Sequence, residues 1–133
     1  MKLIPWRRVG NWKCIRCGKC CKELDVMVTS EEENRLRKFG DIFRRGKVLV
    51  YLKRVDGKCV FFRSGICAIY LERPMACVKY PFYFKSTGEE ESYFAGVHVY
   101  VDSNCPGVVL GCPTKSFVDT IQSLLRNEKL IIV

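Results

Sequence analysis

Apolar and polar positions along the chain follow two kinds of spacing. Residues 94–101 alternate, with Ala95, Val97, Val99 and Val101 on one side, which predicts a half-buried strand. Residues 48–55 also read as a strand. Asp56-Gly57 is a hairpin signal, and residues 58–62 form the return strand. Arg63-Ser64-Gly65 marks another turn, and residues 24–28 and 81–84 read as short extended segments. Helical spacing begins near Thr29 or Ser30, each with a glutamate three residues on, at Glu32 and Glu33. Leu36, Phe39 and Phe43 continue that apolar face, and Gly40 ends or bends the helix. A second helix, over 114–127, is capped by Thr114 and carries Phe117, Val118, Ile121, Leu124 and Leu125 as its stripe. Two short helical turns are expected over 67–72 and 75–79, separated by Pro74. Residues 85–92 form a polar loop tip whose Glu89, Glu90 and Glu91 are read as solvated, and residues 102–113 form a further loop. The basic residues 1–13, with Trp6 and Trp12, read as an arm or an edge strand, and the apolar tail 130–133 could add a strand.

These elements predict a small α+β fold, a single metal-stabilised domain over 1–133. A short antiparallel sheet, made from the 48–62 hairpin and the 94–101 strand, is flanked by the two helices and tied to irregular cysteine-rich loops. A length of 133 residues suits one domain and excludes an enzyme with a separate nucleotide-binding half. With 48% hydrophobic and 28% charged residues the composition is that of a folded chain.

What changes the picture is nine cysteines against one histidine. The opening MKLIPWRRVGNWKC has neither an apolar h-region nor a small-residue cleavage site. No window approaches the ~18 apolar residues of a membrane span. The expectation is therefore a cytoplasmic, membrane-free chain, in which cysteine clusters bind metal or do redox chemistry. Disulfides are the competing reading, and an odd count leaves one thiol over.

Cys14, Cys17, Cys20 and Cys21 form the run CIRCGKCC. Two residues between ligands let a loop fold back so that both sulfurs face one metal. C-x-x-C-x-x-C also holds three corners of a [4Fe–4S] cluster whose fourth cysteine precedes a proline. Cys105-Pro106 and Cys112-Pro113 both offer that context. Adjacent side chains diverge, so Cys20 and Cys21 suit one tetrahedral metal poorly and one of them is free to serve a second site. Cys59, Cys67, Cys77 and Cys105 bring the candidate ligands to eight, enough for two four-thiolate sites, with Cys112 left over. Structural Zn²⁺ competes with iron–sulfur for such a set. Arg73 either donates hydrogen bonds to cluster sulfurs or fills a turn. His98, opposite the valines, reads as a surface or satisfied histidine rather than a ligand.

The formal charge of +9 falls to roughly +5 if two four-thiolate sites each carry about −2. Arg7, Arg8 and Lys13 lie among Trp6 and Trp12, and Arg35, Arg37, Lys38, Arg44, Arg45 and Lys47 form a second basic group. Both could meet a nucleic acid or stay as solvated surface. No Walker A, G-x-G-x-x-G or G-x-S-x-G motif is present, and neither is the radical-SAM cysteine spacing, so no catalytic residue is assigned.

CIRCGKCC, then CVFFRSGICAIYLERPMACVKYPF, then CPG, resemble the YkgJ-like CxxCxxCC cysteine-cluster family, a zinc- or iron-chelating domain, over residues 14–111. The resemblance implies metal ligation by Cys14, Cys17, Cys20, Cys21, Cys59, Cys67, Cys77 and Cys105. The family includes flagellin lysine methylases that carry an iron–sulfur cluster, although these are much longer chains. The expected function is an iron–sulfur protein with one or two [4Fe–4S] clusters, a redox carrier or an accessory to another enzyme, with a protein or redox partner. The alternatives are a structural zinc domain that contacts nucleic acid or protein through its basic surface, and a cluster-dependent lysine-methylase-like enzyme.

Overall fold

The computed structural model describes residues 2–126, so the predicted 130–133 tail lies outside the described residues. The chain divides into two compact units: the described parts of Met1–Ile15 and Lys79–Val133 form one, and Arg16–Val78 forms the other.

In the first unit the strand Val97–Asp102 lies between neighbours. It pairs antiparallel with Leu3–Pro5, with Phe82–Lys85 and with Tyr93–Phe94. The period of two sets the core. Val99 faces Phe84 in register and Val101 faces Phe82, and all four are fully buried. The helix Lys115–Leu125 adds Phe117 and Ile121 to this core, with the Phe117 N–H bonded to Thr114 Oγ1 at 3.2 Å. Residues 1–13 take the edge-strand form of the sequence reading: Leu3–Pro5 borders the sheet, and Val9–Trp12 pairs with Val108–Leu110. His98 Nδ1 lies 2.9 Å from Ser92 Oγ and 3.0 Å from Glu89 O, a satisfied histidine. Glu91 stays at the surface and takes Arg8 there in a two-point ion pair at 2.8 and 3.0 Å.

The second unit is built from shorter pieces. Val50–Leu52 pairs with Met27–Val28 on one side and Phe43–Arg45 on the other. Two hairpins follow, Arg54–Val55 with Lys58–Cys59 and Phe62–Arg63 with Ile66–Cys67. Their turns, Asp56-Gly57 and Ser64-Gly65, have positive φ at both central residues, the conformation that matches strand twist. Thr29 caps Ser30–Leu36 with the full capping box: Glu32 N–H meets Thr29 Oγ1 at 3.2 Å, and Thr29 N–H meets Glu32 Oε1 at 2.9 Å.

Two expectations are modified here. The 48–55 strand is split at Lys53, whose N–H turns to Ile42 O and whose own carbonyl accepts from Val60 N–H. The 48–62 hairpin and the 94–101 strand also belong to different sheets, because both edges of Val50–Leu52 and of Val97–Asp102 are taken by other partners. The fold is thus α+β with several short antiparallel sheets. No helix among the described residues is long and apolar enough to cross a membrane.

Candidate metal centre

In the second unit the cysteine loop depends on one glycine. Gly18 sits at φ 78°, and a Cβ there would lie 2.5 Å from the Phe62 ring. The loop then enters the helix Lys19–Glu23, which carries Cys20 and Cys21, and Lys19 N–H points back to Cys17 Sγ at 3.4 Å. Arg54 holds the far end of that helix. Its guanidinium donates to Leu24 O at 2.7 Å, to Lys22 O at 2.5 Å and to Gly57 O. A cation on the last carbonyls of a helix is the favourable placement. Arg54 pairs in register with Cys59, so one residue fixes both the cysteine helix and the hairpin beside it. Cys67 stands opposite Phe62 in the next hairpin. Cys77 rides on Met75–Lys79, whose first N–H, that of Met75, bonds Glu32 Oε2 at 2.6 Å. Glu32 therefore caps two helices.

These elements gather Cys20, Cys21, Cys59, Cys67 and Cys77 into one apolar cluster, three of them buried and Cys20 and Cys67 half-buried. The single Cys21 S–H has Cys20 and Cys67 as alternative acceptors. That hydrogen bonding lowers Cys20 to about 7 and Cys67 to about 6, with the Arg73 charge lowering both further. The same hydrogen bonds, together with burial, push Cys21 up. Burial pushes Cys59 and Cys77 up, and the neighbouring thiols add to it. Arg73 Nε donates to Tyr70 O at 2.9 Å and its guanidinium lies 4.0 Å over the Tyr70 ring. Arg16, at φ 55°, lies 4.0 Å over the same ring. Among the described residues neither arginine has a carboxylate partner within ion-pair distance. Cys17 is exposed on the loop.

The first unit holds the remaining cysteines. Asp102 shapes the turn that presents Cys105: its carbonyl accepts from Cys105 N–H at 3.1 Å, and Oδ1 accepts from Asn104 N–H at 3.0 Å. Burial pushes the Asp102 carboxyl up, but the N–H groups of Lys2 and Asn104 and the Tyr80 hydroxyl, 2.8 Å from Oδ2, outweigh it and leave the pKa lowered. Lys13 N–H bonds Gly107 O at 3.1 Å, so the chain entering Cys14 runs beside the Cys105 turn. Cys105 is buried, Cys14 half-buried and Cys112 exposed.

No disulfide joins cysteines among the described residues. Nor do three His, Cys, Asp or Glu side chains among them stand in the arrangement of a metal cage. The five thiols are gathered by apolar packing, whereas ligands to zinc must all approach one point to ~2.3 Å. The chemistry of the set nonetheless fits a soft metal: its candidate ligands are all sulfur, and Cys20 and Cys67 are lowered to about 7 and about 6, toward the thiolate that binds metal. Sequence reasoning passed over Arg54, Glu32, Asp102 and Gly107. Only Glu32 left a signal, the capping box, and that says nothing of its second helix.

A cysteine-rich α+β domain of this kind belongs to the class of small metal-chelating proteins. Residues 13–105 match the model of the CxxCxxCC family, "Putative zinc- or iron-chelating domain", and the chain belongs to that family. Cys105 is the last residue matched, and Cys112 lies beyond it. No curated protein and no solved structure matches the chain.

Proposed function

We propose that the chain is an iron–sulfur protein, a redox carrier or an accessory to another enzyme, with Cys14, Cys17, Cys20, Cys21, Cys59, Cys67, Cys77 and Cys105 as ligands. The observation that carries this reading is the gathering of Cys20, Cys21, Cys59, Cys67 and Cys77 in one apolar cluster. An apolar, sulfur-rich surround is where a cluster is shielded from water and its potential tuned. When bound, a [4Fe–4S] cluster supplies one-electron transfer. In that role Arg73 places positive charge against the ligand sulfurs, and Arg54 and Glu32 hold the helices that present them.

The competing zinc reading needs a basic surface open to nucleic acid or to a protein. Much of the second basic group is engaged within the unit. Arg37 and Arg45 bind Glu33, Lys38 binds Glu72, Arg44 binds Asp25, and Arg35 donates to Glu72 O at 2.7 Å. These pairs offset much of that group's charge, which weakens the case for a nucleic-acid surface there.

The test is purification without oxygen, followed by iron, zinc and acid-labile sulfide per chain and a visible spectrum. Brown protein with matched iron and sulfide is expected. Colourless protein with zinc alone, unchanged after anaerobic iron–sulfide reconstitution, would overturn the cluster in favour of zinc. Cys17→Ser and Cys20→Ser are expected to lower bound metal sharply, and Cys112→Ser to spare it. Full metal retention in Cys17→Ser would remove that residue from the ligand set.

A further inference from the structure

The two hairpins of the second unit turn their cysteines one way and a different set of side chains the other. Cys59 pairs in register with Arg54, and Lys58 with Val55. Cys67 pairs with Phe62, and Ile66 with Arg63. Paired residues share a face, and successive residues alternate between faces. Cys59 and Cys67 belong to the apolar thiol cluster, so Val55, Lys58, Arg63 and Ile66 lie on the opposite side of their hairpins. All four are exposed, Val55 at 57% and Ile66 at 64%. The turn Tyr70–Glu72 that follows adds Leu71 at 94%.

The cations beside these residues are the ones without carboxylates. Lys58 and Lys22 stand over the Phe62 ring at 5.9 and 5.6 Å, and Arg16 and Arg73 over the Tyr70 ring at 4.0 Å. Phe62 lies against Gly18, two residues past Arg16, so both rings border one cysteine loop. Among the described residues none of these four cations, nor Arg63, is within ion-pair distance of a carboxylate. Asp56 is the only acid in the two hairpins. Elsewhere in the unit, Lys47 apart, the lysines and arginines are met: Lys19 by Glu23, Lys53 by Asp41, Arg54 by carbonyls, and the second basic group as described above. The unit thus offsets its charge away from the cysteines and leaves it open around them.

Cations set on aromatic rings are held in place without being neutralised. Such a surface complements carboxylates, steers an acidic partner and fixes its register. A nucleic acid would meet the charge as well, but its interfaces are more polar than this one. Exposed Val55, Ile66 and Leu71 call for an apolar counterpart, which a protein surface supplies. The rings on which a base would stack already lie under cations.

We propose that the face carrying Arg16, Lys58, Arg63, Val55, Ile66 and Leu71 docks an acidic protein, with carboxylates against the cations and apolar side chains over the three hydrophobic residues. The inference deepens the cluster reading and rests on it for the partner's role, since one layer of hairpin would separate the docked protein from Cys59 and Cys67.

The experiment uses the full chain, purified without oxygen with the metal it carries. It is titrated with a short glutamate–leucine peptide and, in parallel, with oligouridylate of the same charge, at about 0.15 M salt to screen long-range attraction. Carbodiimide then couples bound peptide to neighbouring lysines, and mass spectrometry reads the sites. Coupling is expected at Lys22 and Lys58 and not at Lys47. Arg16→Gln and Lys58→Gln should each weaken the peptide by about 2–5-fold. Leu71→Ser should weaken it too, whereas Arg44→Gln, whose charge Asp25 already meets, should leave it unchanged. Coupling spread over other lysines, equal affinity in all these variants, or tighter binding of oligouridylate than of the peptide overturns the inference. Iron and acid-labile sulfide in the same samples keep the two readings apart. Peptide bound at Lys22 and Lys58 on protein lacking both would leave the docking face standing and overturn the cluster. Iron and sulfide present with no peptide bound would do the reverse.

Discussion

The two units differ in what fills their cores. In the first, Phe82, Phe84, Val99, Val101, Phe117 and Ile121 are fully buried, and the central strand Val97–Asp102 is six residues long. In the second, Cys21, Cys59 and Cys77 sit among the buried residues, and each strand has only two or three residues. The first unit is held by hydrocarbon and by ladder hydrogen bonds. The second buries hydrocarbon too, from Val26, Val28, Leu36, Ile42, Leu52, Phe61 and Ile69, and adds fixed charges that join its short elements: Arg54 on three carbonyls and Glu32 on two helix starts. Short strands are marginal alone. A site that needs several deprotonated thiols in one place couples metal binding to folding. The comparison therefore teaches that metal removal should cost residues 16–78 more of their structure than it costs the first unit.

Removing the metal is the largest perturbation. Chelation is expected to strip hydrogen-exchange protection from residues 16–78 while the amides of Val97–Asp102 and Phe82–Lys85 stay protected. Equal loss in both units would dissolve the distinction. Next in size, Phe82→Ala should cost about 3–5 kcal/mol in denaturant unfolding, the range for a buried phenylalanine. A cost under about 1 kcal/mol would mean that the first unit is not held by its hydrocarbon core.

Arg54→Met should cost about 1–3 kcal/mol, since it leaves Lys22, Leu24 and Gly57 carbonyls without their cation. It should also lower metal per chain. Lys53→Met, which breaks an exposed pair with Asp41, should cost under about 1 kcal/mol and leave metal content alone. Equal effects from the two would show that Arg54 is an ordinary surface arginine.

The smallest expected effect is a pH slope. The Asp102 pKa is lowered in the folded chain. Its contribution is therefore complete above the unfolded carboxyl value of about 4 and is lost as pH falls through the lower folded value. Thermal unfolding of the first unit should weaken on acidification over that window, and Asp102→Asn should flatten the slope. An unchanged slope in the variant would remove Asp102 as its source.

Much of the local structure was legible in the sequence because it rests on neighbours. Thr29 and Glu32 are three residues apart, Asp56-Gly57 carries its own turn geometry, and Val97, Val99 and Val101 state their face by alternation. The cysteine spacing likewise pointed to metal chemistry and to the family before any fold was known. The partners were not legible. Nothing near Lys53 marks the switch that splits its strand, and nothing near Trp12 marks an indole left without an acceptor.

By itself the sequence determined the α+β class, the helix caps, the hairpin turns and the sulfur-rich chemistry. Each of these follows from side-chain type and from spacing over a few residues. Tertiary structure alone decided that five of the thiols share one apolar cluster beside Arg73, while Cys14 and Cys105 lie in the other unit. It also decided that Arg54 and Glu32, forgettable as isolated charges, hold the helices carrying Cys20, Cys21 and Cys77. Contacts such as Arg54 with Lys22 or Glu32 with Met75 join residues tens of positions apart. Local spacing carries no record of such pairs, because the chain's return path exists only once the fold has closed.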